Sequence, residues 1–246
     1  MRIAFLTDIH ANRQAFEAVL AAVAAQGAHR IVLLGDIVGY GGDPVWCLER
    51  TRALVAAGAV AVRGNHDQAA TDLSSGMSAA AQEAITWTRG QLSPDHKHFL
   101  AGLPLTVRED DRLYVHADGS APGRFRYALD AADAAKHFDG CADRLTFCGH
   151  VHQPMLYCRG DSGRVTAFQP TTGCSVPLLQ QRRWLAVIGS VGQPRDGDPA
   201  AAFGLLDTDT CELTFLRVAY DIDAAAARIR DAGLPDTLAT RLYGGR

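Results

Sequence analysis

The stretch GAVAVRGNHDQ, from Gly58 to Gln68, decides the interpretation of the fold. Its first half is a short apolar run, and its second half places three hydrogen-bonding side chains directly after a glycine, namely Asn65, His66 and Asp67. A surface turn can have this composition by chance, and a metal site can have it as well. The two differ in whether the rest of the chain supplies partners, because an accidental turn has none.

The same arrangement occurs twice before Gly58. The apolar run RIAFLT leads into TDIH, and RIVLLG leads into GDIVGY, with apolar spacing typical of helices at 11–26 and 44–57. Near-continuous apolar strands separated by helices indicate a parallel sheet covered on both faces. Each predicted strand therefore ends in polar residues at the same edge of one sheet.

The remainder of the chain predicts a helical, cap-like segment at 68–102 and then a region rich in strands. A hairpin is expected around 110–111, a helix at 129–138, a strand at RLTFCGH, and further strands from Met155 onward. A last helix at 221–232 is expected to close the chain. We predict a single domain over 1–246, an α/β sandwich whose second sheet comes largely from the C-terminal half.

Composition excludes several classes of protein. The chain has 246 residues, 48% of them hydrophobic and 21% charged, with a net charge of -3, which argues against general nucleic-acid binding. No apolar run approaches the length of a membrane span, so no membrane association is expected. Six scattered cysteines without a secretory signal are typical of reduced thiols, and we expect a cytoplasmic protein.

Eight polar residues follow the predicted strands and should converge, because open α/β sheets bind ligands at the carboxyl ends of their strands. They are Asp8, His10, Asp36, Asn65, His66, His116, His150 and His152. In DIH and HVH the two polar residues are two positions apart, so both lie on one face of an extended segment. Nitrogen and carboxylate ligands together suit Mn, Fe, Co, Ni or Zn better than Ca.

The size of this set predicts two divalent ions rather than one. Eight polar residues exceed what a single ion can use, and the lone carboxylate of Asp36 stands between two groups and can bridge them. Two divalent ions and two carboxylates leave positive charge for a hydroxide and a phosphoryl group. That balance is typical of two-metal phosphoester hydrolysis, with ions about 3.5–4 Å apart.

The motif blocks resemble the calcineurin-like metallophosphoesterase superfamily, in particular a bacterial and archaeal subgroup. The blocks are DIH, GD, GNHD, His116 and GHVH, between positions 8 and 152. The resemblance implies a four-layer α/β/β/α sandwich of two mixed sheets flanked by helices, with its metal site at the C-terminal ends of strands. It also implies that Asp8, His10 and His152 bind one ion, that Asn65, His116 and His150 bind the other, and that Asp36 bridges.

The same resemblance implies a mechanism for the polar residues. A metal-bridging hydroxide would attack phosphorus, His66 would protonate the leaving oxygen, and Asp67 would orient His66. The substrate would be a small phosphoester or a nucleotide-like molecule. Phosphodiesters are slightly favoured, phosphomonoester or phosphoprotein hydrolysis is the alternative, and a non-catalytic scaffold of the same fold is a third reading that the complete set of polar residues disfavours.

One departure from the family concerns phosphate binding. Protein phosphatases of the family have an arginine shortly after the second motif, whereas this chain has GDIVGYG there. Arg124, Arg126 and Arg195, in glycine- and proline-rich loops, are candidate substitutes, although plain solvent exposure would also explain them. An oligomer is possible, since the apolar stretch SAAAQEAITW (78–87) could form a dimer interface.

Overall fold

Two six-stranded sheets pack face to face and are flanked by helices in the computed structural model, which describes residues 1–72 and 77–246. The strands are β1 (Arg2–Leu6), β2 (Arg30–Leu33), β3 (Val60–Ala61), β4 (Thr106–Glu109), β5 (Arg112–Val115), β6 (Leu145–Cys148), β7 (Met155–Arg159), β8 (Val165–Phe168), β9 (Ser175–Pro177), β10 (Arg183–Val187), β11 (Ala201–Asp207) and β12 (Glu212–Val218). The helices are α1 (Arg13–Ala25), α2 (Pro44–Ala56), α3 (Asn65–Thr71), α4 (Ala79–Gln91), α5 (Pro94–Gly102), α6 (Ala131–Gly140), α7 (Ile222–Asp231) and α8 (Asp236–Gly244).

The first sheet has the strand order β3-β2-β1-β11-β12-β9 and the second β4-β5-β6-β10-β7-β8. Strands β1, β2 and β3 run parallel, as the apolar runs predicted, and β11 pairs antiparallel with β1. Both sheets are mixed and helices flank them, which confirms the predicted fold class. Four of the six strands of the second sheet, β6, β7, β8 and β10, come from the C-terminal half as predicted, whereas β9, β11 and β12 of that half complete the first sheet.

Alternation along β1 shows why the two sheets form layers. Ile3 and Phe5 belong to the apolar cluster between the sheets, and the Phe5 ring stacks on Phe147 of β6 with centroids 4.0 Å apart. Ala4 and Leu6 belong to the cluster under the helices that cover the other face. Because successive side chains of a strand point to opposite faces, the apolar residues 3–6 of β1 are buried on both sides.

The helical predictions need two corrections. The segment predicted as helical at 68–102 contains α4 and α5 and the end of α3, and residues 73–76 lie outside the described residues. The predicted closing helix is α7, but α8 follows it and packs against it through Leu238 and Leu242. Among the described residues no helix combines the length and the apolar character needed to cross a membrane.

Candidate metal centre

The loops that follow β1, β2 and β6 have an unusual backbone. Five of the predicted ligands have positive φ angles, a region that residues other than glycine seldom enter: Asp8 (53°), His10 (50°), Asp36 (53°), His150 (68°) and His152 (63°). Each such residue costs on the order of 1–3 kcal/mol, and strain of this kind clusters at functional sites. Its coincidence with the predicted ligands indicates that the positions of these side chains are constrained by function.

The first group of buried side chains consists of Asp8, His10 and His152. The Oδ1 atom of Asp8 lies 3.2 Å from His152 Nε2 and 3.7 Å from His10 Nε2. The other oxygen, Oδ2, accepts hydrogen bonds from the Thr7 hydroxyl (2.8 Å) and the His150 amide (2.9 Å). Within the described residues Oδ1 has no hydrogen-bond partner, so it remains available to a cation.

The second group surrounds Nε2 of His116. This nitrogen lies 3.2 Å from Asn65 Oδ1, 3.2 Å from His150 Nδ1 and 3.3 Å from Asp36 Oδ2. Amide oxygen, imidazole nitrogen and carboxylate oxygen are all electron-pair donors. Four donor atoms at such mutual distances are an arrangement suited to one shared cation.

Asp36 lies between the two groups. Its Oδ2 atom is 3.7 Å from His10 Nε2 and 3.3 Å from His116 Nε2, while Oδ1 accepts a hydrogen bond from the His66 amide (2.8 Å). The backbone of Gly64 packs directly against this carboxylate. A Cβ atom at that position would lie 2.1 Å from Asp36 Oδ1, so the motif GNHD has a glycine because no side chain fits there.

Backbone carbonyls fix the orientation of three histidines. In each case Nδ1 lies within hydrogen-bond distance of a carbonyl oxygen: His10 on Val38 (3.3 Å), His116 on Leu34 (2.8 Å) and His152 on Gln193 (2.6 Å). A carbonyl only accepts, so Nδ1 carries a proton, and Nε2 can present a lone pair to a metal whenever the ring is neutral. The Nε2 atoms of His10 and His152 are 3.1 Å apart, and two such lone pairs repel unless a cation lies between them. The donor set therefore fits bound metal.

The charges lead to the same conclusion. Burial would raise the pKa of Asp8, but His152 and His10 outweigh it and hold that pKa well below its usual range. Burial also opposes ionisation of Asp36, and His116 overcomes it, so the pKa of Asp36 is lowered. For His116, burial lowers the pKa, yet Asp36 raises it to about 9. Two ionised carboxylates buried together need positive charge beside them, which a metal provides.

His66 lies next to these groups without belonging to the two ligand sets described above. Its ring packs on His10 and Tyr40, with centroids 4.8 and 4.5 Å away. Its Nδ1 atom is buried and has no hydrogen-bond partner in the described part of the chain. Burial lowers the pKa of His66 to about 3 although Asp36 opposes this, so the ring is neutral near pH 7.

Asp67 has a different role from the one predicted. Its Oδ1 atom accepts hydrogen bonds from the amides of Ile37 (2.9 Å) and Val38 (3.2 Å), and Oδ2 accepts from the amide of Gly64 (3.0 Å). All of its described hydrogen bonds are therefore to backbone. The prediction that Asp67 orients the His66 ring is wrong, and Asp67 instead joins the loop after β2 to the start of α3.

Replacing Asp67 by alanine should destabilise the protein strongly. Three backbone N–H groups would lose their acceptor, and each buried unsatisfied group costs about 1–3 kcal/mol, so a loss of at least about 3 kcal/mol is expected. Urea unfolding of the metal-free protein, followed by circular dichroism, measures this free energy. Asp72→Ala, an exposed aspartate at the end of the same helix, should leave it nearly unchanged. Equal small effects of both substitutions would contradict the anchoring role.

Of the arginines predicted to bind substrate, Arg195 is tied to the site by its contacts. Its backbone amide donates to the His152 carbonyl (3.1 Å), and its guanidinium lies 2.9 Å from Gln193 Oε1. Arg124 and Arg126 are exposed in the loop between β5 and α6. The structure thus brings Arg195 to the ligands and leaves the other two at the surface.

Three further residues lie beside the ligands, and the sequence interpretation missed two of them, Tyr127 and Arg241. The Tyr40 ring lies 4.6 Å from the His10 ring, and the Tyr127 ring stacks on His150 at 4.0 Å with 48% of the residue exposed. The guanidinium of Arg241 lies 5.9 Å from the centre of the Tyr40 ring. Of the three, only Tyr40 was marked by the sequence pattern, because it follows the GD motif within a glycine-rich loop.

A family model confirms the class of protein that the sheets and the buried histidine–aspartate cluster define. The model of the calcineurin-like phosphoesterase superfamily domain matches residues 1–211. The chain belongs to this superfamily, as the motif blocks predicted. It is accordingly a metallophosphoesterase by family, and candidate ligands described above form histidine–aspartate groups that could hold metal.

Individual relatives extend the match over nearly the whole chain. A metallophosphoesterase from Sphaerobacter thermophilus superimposes with a TM-score of 0.89 and 39% identity, covering 100% of this chain and 99% of that one. Uncharacterized protein MJ0912 of Methanocaldococcus jannaschii is 32% identical over 251 residues, 99% of this chain and 98% of the relative. Phosphodiesterase YfcE of Escherichia coli is 26% identical over 227 residues, 88% and 92% of the two chains.

Proposed function

We propose that this chain is a dinuclear metal-dependent phosphodiesterase. The observation that carries the proposal is the position of Asp36 Oδ2 between two groups of buried ligands, 3.7 Å from His10 Nε2 and 3.3 Å from His116 Nε2. One divalent ion of Mn, Fe, Co, Ni or Zn would be held on each side of this oxygen. The ligand sets would be Asp8, His10 and His152 on one side and Asn65, His116 and His150 on the other, with Asp36 shared.

The residues of the chain have distinct tasks in this reaction. Bound ions would supply a water-derived nucleophile at neutral pH and positive charge for the phosphoryl oxygens. Asp8 and Asp36 keep that charge in place, and carbonyl-bound Nδ1 atoms hold the histidine rings in position. His66 would give a proton to the leaving oxygen as its bond to phosphorus breaks and a new bond from water oxygen to phosphorus forms.

Two observations support diesters over monoesters. The GDIVGYG loop lacks the arginine that protein phosphatases of the family have there, and Tyr40 of this loop stands beside the ligands. The relative YfcE is named a phosphodiesterase. Hydrolysis of a phosphomonoester is the second candidate. A non-catalytic scaffold would not need His66 next to a complete set of candidate ligands.

Metal removal and readdition test the proposal directly. Protein freed of metal by a chelator should hydrolyse neither bis(4-nitrophenyl) phosphate nor 4-nitrophenyl phosphate. Titration with Mn²⁺ should restore turnover as the bound metal approaches two ions per chain, a ratio that mass spectrometry measures. The restored enzyme should hydrolyse the diester faster than the monoester. A faster monoester would favour the second candidate. Failure to bind metal would exclude the enzyme proposal.

A further inference from the structure

Two arginines from distant parts of the chain meet at Tyr40. Arg195 follows β10 and Arg241 lies in α8, yet their guanidinium carbons are 5.7 and 5.9 Å from the centre of the Tyr40 ring. Both side chains also reach one neutral acceptor, Gln193 Oε1, at 2.9 Å from Arg195 and 3.3 Å from Arg241. We call these two arginines with Tyr40 and Gln193 the arginine subsite.

The positive charge of the arginine subsite is not balanced by the chain. Asp196 and Asp198, which are close in sequence, form ion pairs with Arg217 instead. Across residues 1–72 and 77–246 neither Arg195 nor Arg241 forms an ion pair with a carboxylate. Burial and the neighbouring Arg195 lower the pKa of Arg241. Two like charges held together by neutral groups are unfavourable unless an anion joins them.

The arginine subsite adjoins the first group of metal ligands. The carbonyl of Gln193 accepts a hydrogen bond from Nδ1 of His152 (2.6 Å), and the amide of Arg195 donates to the carbonyl of His152 (3.1 Å). Tyr40 contacts His10 with its ring and lies 3.5 Å from Arg195 through its hydroxyl. An anion between the guanidinium groups would therefore lie next to the metal centre.

A charge count indicates which anion is missing. Two divalent ions are balanced by Asp8, Asp36, a hydroxide and the single charge of a diester. The two arginines then add positive charge for which a simple diester has no counterpart. Arginine is well suited to phosphoryl oxygens, because its planar fork of N–H groups can donate two hydrogen bonds to one phosphate.

We propose that Arg195 and Arg241 bind a second phosphoryl group of the substrate. The substrate class is then a phosphoester with two phosphoryl groups, such as a pyrophosphate-linked nucleotide, with one group at the metal centre and the other in the arginine subsite. This inference rests on the proposed hydrolysis at the metal centre. It differs from a role in gripping the attacked phosphoryl group, since that role would affect ligands with one phosphoryl group equally.

Inhibition by one- and two-phosphoryl ligands tests the inference. At fixed free Mn²⁺, the inhibition constants of orthophosphate and methylenediphosphonate are measured against hydrolysis of bis(4-nitrophenyl) phosphate. Wild type should bind methylenediphosphonate more tightly, and Arg195→Gln or Arg241→Gln should weaken it by about 10- to 100-fold, the loss expected for a charge-assisted hydrogen bond. The constant for orthophosphate should change much less. Arg241→Lys keeps the charge but loses the planar fork of N–H groups. Its inhibition constant for methylenediphosphonate should lie between those of wild type and Arg241→Gln.

The controls separate this inference from the proposed function. Arg164→Gln, an exposed arginine before β8, should leave both constants unchanged. If wild type hydrolyses no nitrophenyl ester, the proposed function fails, and calorimetric titration of the metal-loaded protein with the same two ligands still tests the subsite. Equal weakening of both ligands would place the arginines on the attacked phosphoryl group or in a structural role. Unchanged binding of both ligands would show that the two arginines bind no phosphate. Either of these two results would overturn the inference.

Discussion

Asp36→Asn should lower turnover of bis(4-nitrophenyl) phosphate by about 10³-fold or more and remove the pair of bound ions. The Oδ2 atom of Asp36 is shared between His10 and His116, so the substitution takes negative charge from both ligand groups at once. Charge stabilisation by metal is worth several kcal/mol, and each 1.36 kcal/mol is a factor of ten in rate. Metal content after dialysis and steady-state turnover together measure the effect.

Asparagine is the informative substitution because it isolates the charge. Its side-chain oxygen can still accept the hydrogen bond from the His66 amide, now 2.8 Å from Oδ1, so the start of α3 keeps its anchor. Asp72→Asn, an exposed position at the end of α3, is the matched control and should retain both metal and turnover. Retention of two ions by Asp36→Asn would refute the bridge. Retention of one would assign Asp36 to a single ligand group.

The candidate ligands could be proposed from the sequence because the pattern that marks them is local. Each residue follows an apolar strand within a few positions, and the carboxyl ends of strands in an α/β sheet share one edge. The same reasoning predicted the parallel start of the first sheet. It could not place β11 and β12, because pairing between β1 and β11 depends on a contact across about 200 residues that no local pattern encodes.

Other features depend on exact backbone positions and could not be predicted from the sequence. The partners of Asp67 are amide groups of Ile37 and Val38, whose location follows from the strained turn after β2 rather than from residue types. Helix α8 is short, at nine residues, and brings Arg241 to Tyr40, which lies about two hundred positions earlier in the chain. The family resemblance implied a contact between Asp67 and His66, whereas neighbouring side chains of a helix point in different directions.

We propose that His66 acts on the leaving group, although its ring nitrogen also lies within 4.8 Å of donor atoms of His10 and Asp36. It packs between His10 and Tyr40, and its Nδ1 atom has no hydrogen-bond partner among the described residues. Burial lowers its pKa to about 3, so the resting ring is neutral and carries one N–H group. An anionic substrate beside the ring raises this pKa, and the ring, once protonated, can give its proton to the oxygen that gains negative charge as its bond to phosphorus breaks.

His66→Ala should therefore slow alkyl esters far more than nitrophenyl esters. An alkoxide needs a proton as it leaves, and general-acid help contributes about 10²–10⁴ in rate, so alkyl phosphodiesters should lose that factor. Nitrophenolate is a stable anion, and its esters should lose less than about tenfold. A series of aryl esters whose leaving phenols span several pKa units measures this as a steeper dependence of log kcat on leaving-group pKa in the variant.

The slope of log kcat against leaving-group pKa distinguishes proton donation by His66 from a purely structural role of its ring. If the His66 ring only packed against His10 and Tyr40, all esters would slow by one factor and the slope would stay the same. Loss of metal would be seen in the metal content of the variant, which should equal that of wild type. His98→Gln, at an exposed histidine of α5, should change neither rate nor slope. A parallel shift of the whole series in His66→Ala would remove His66 from the proton-transfer step.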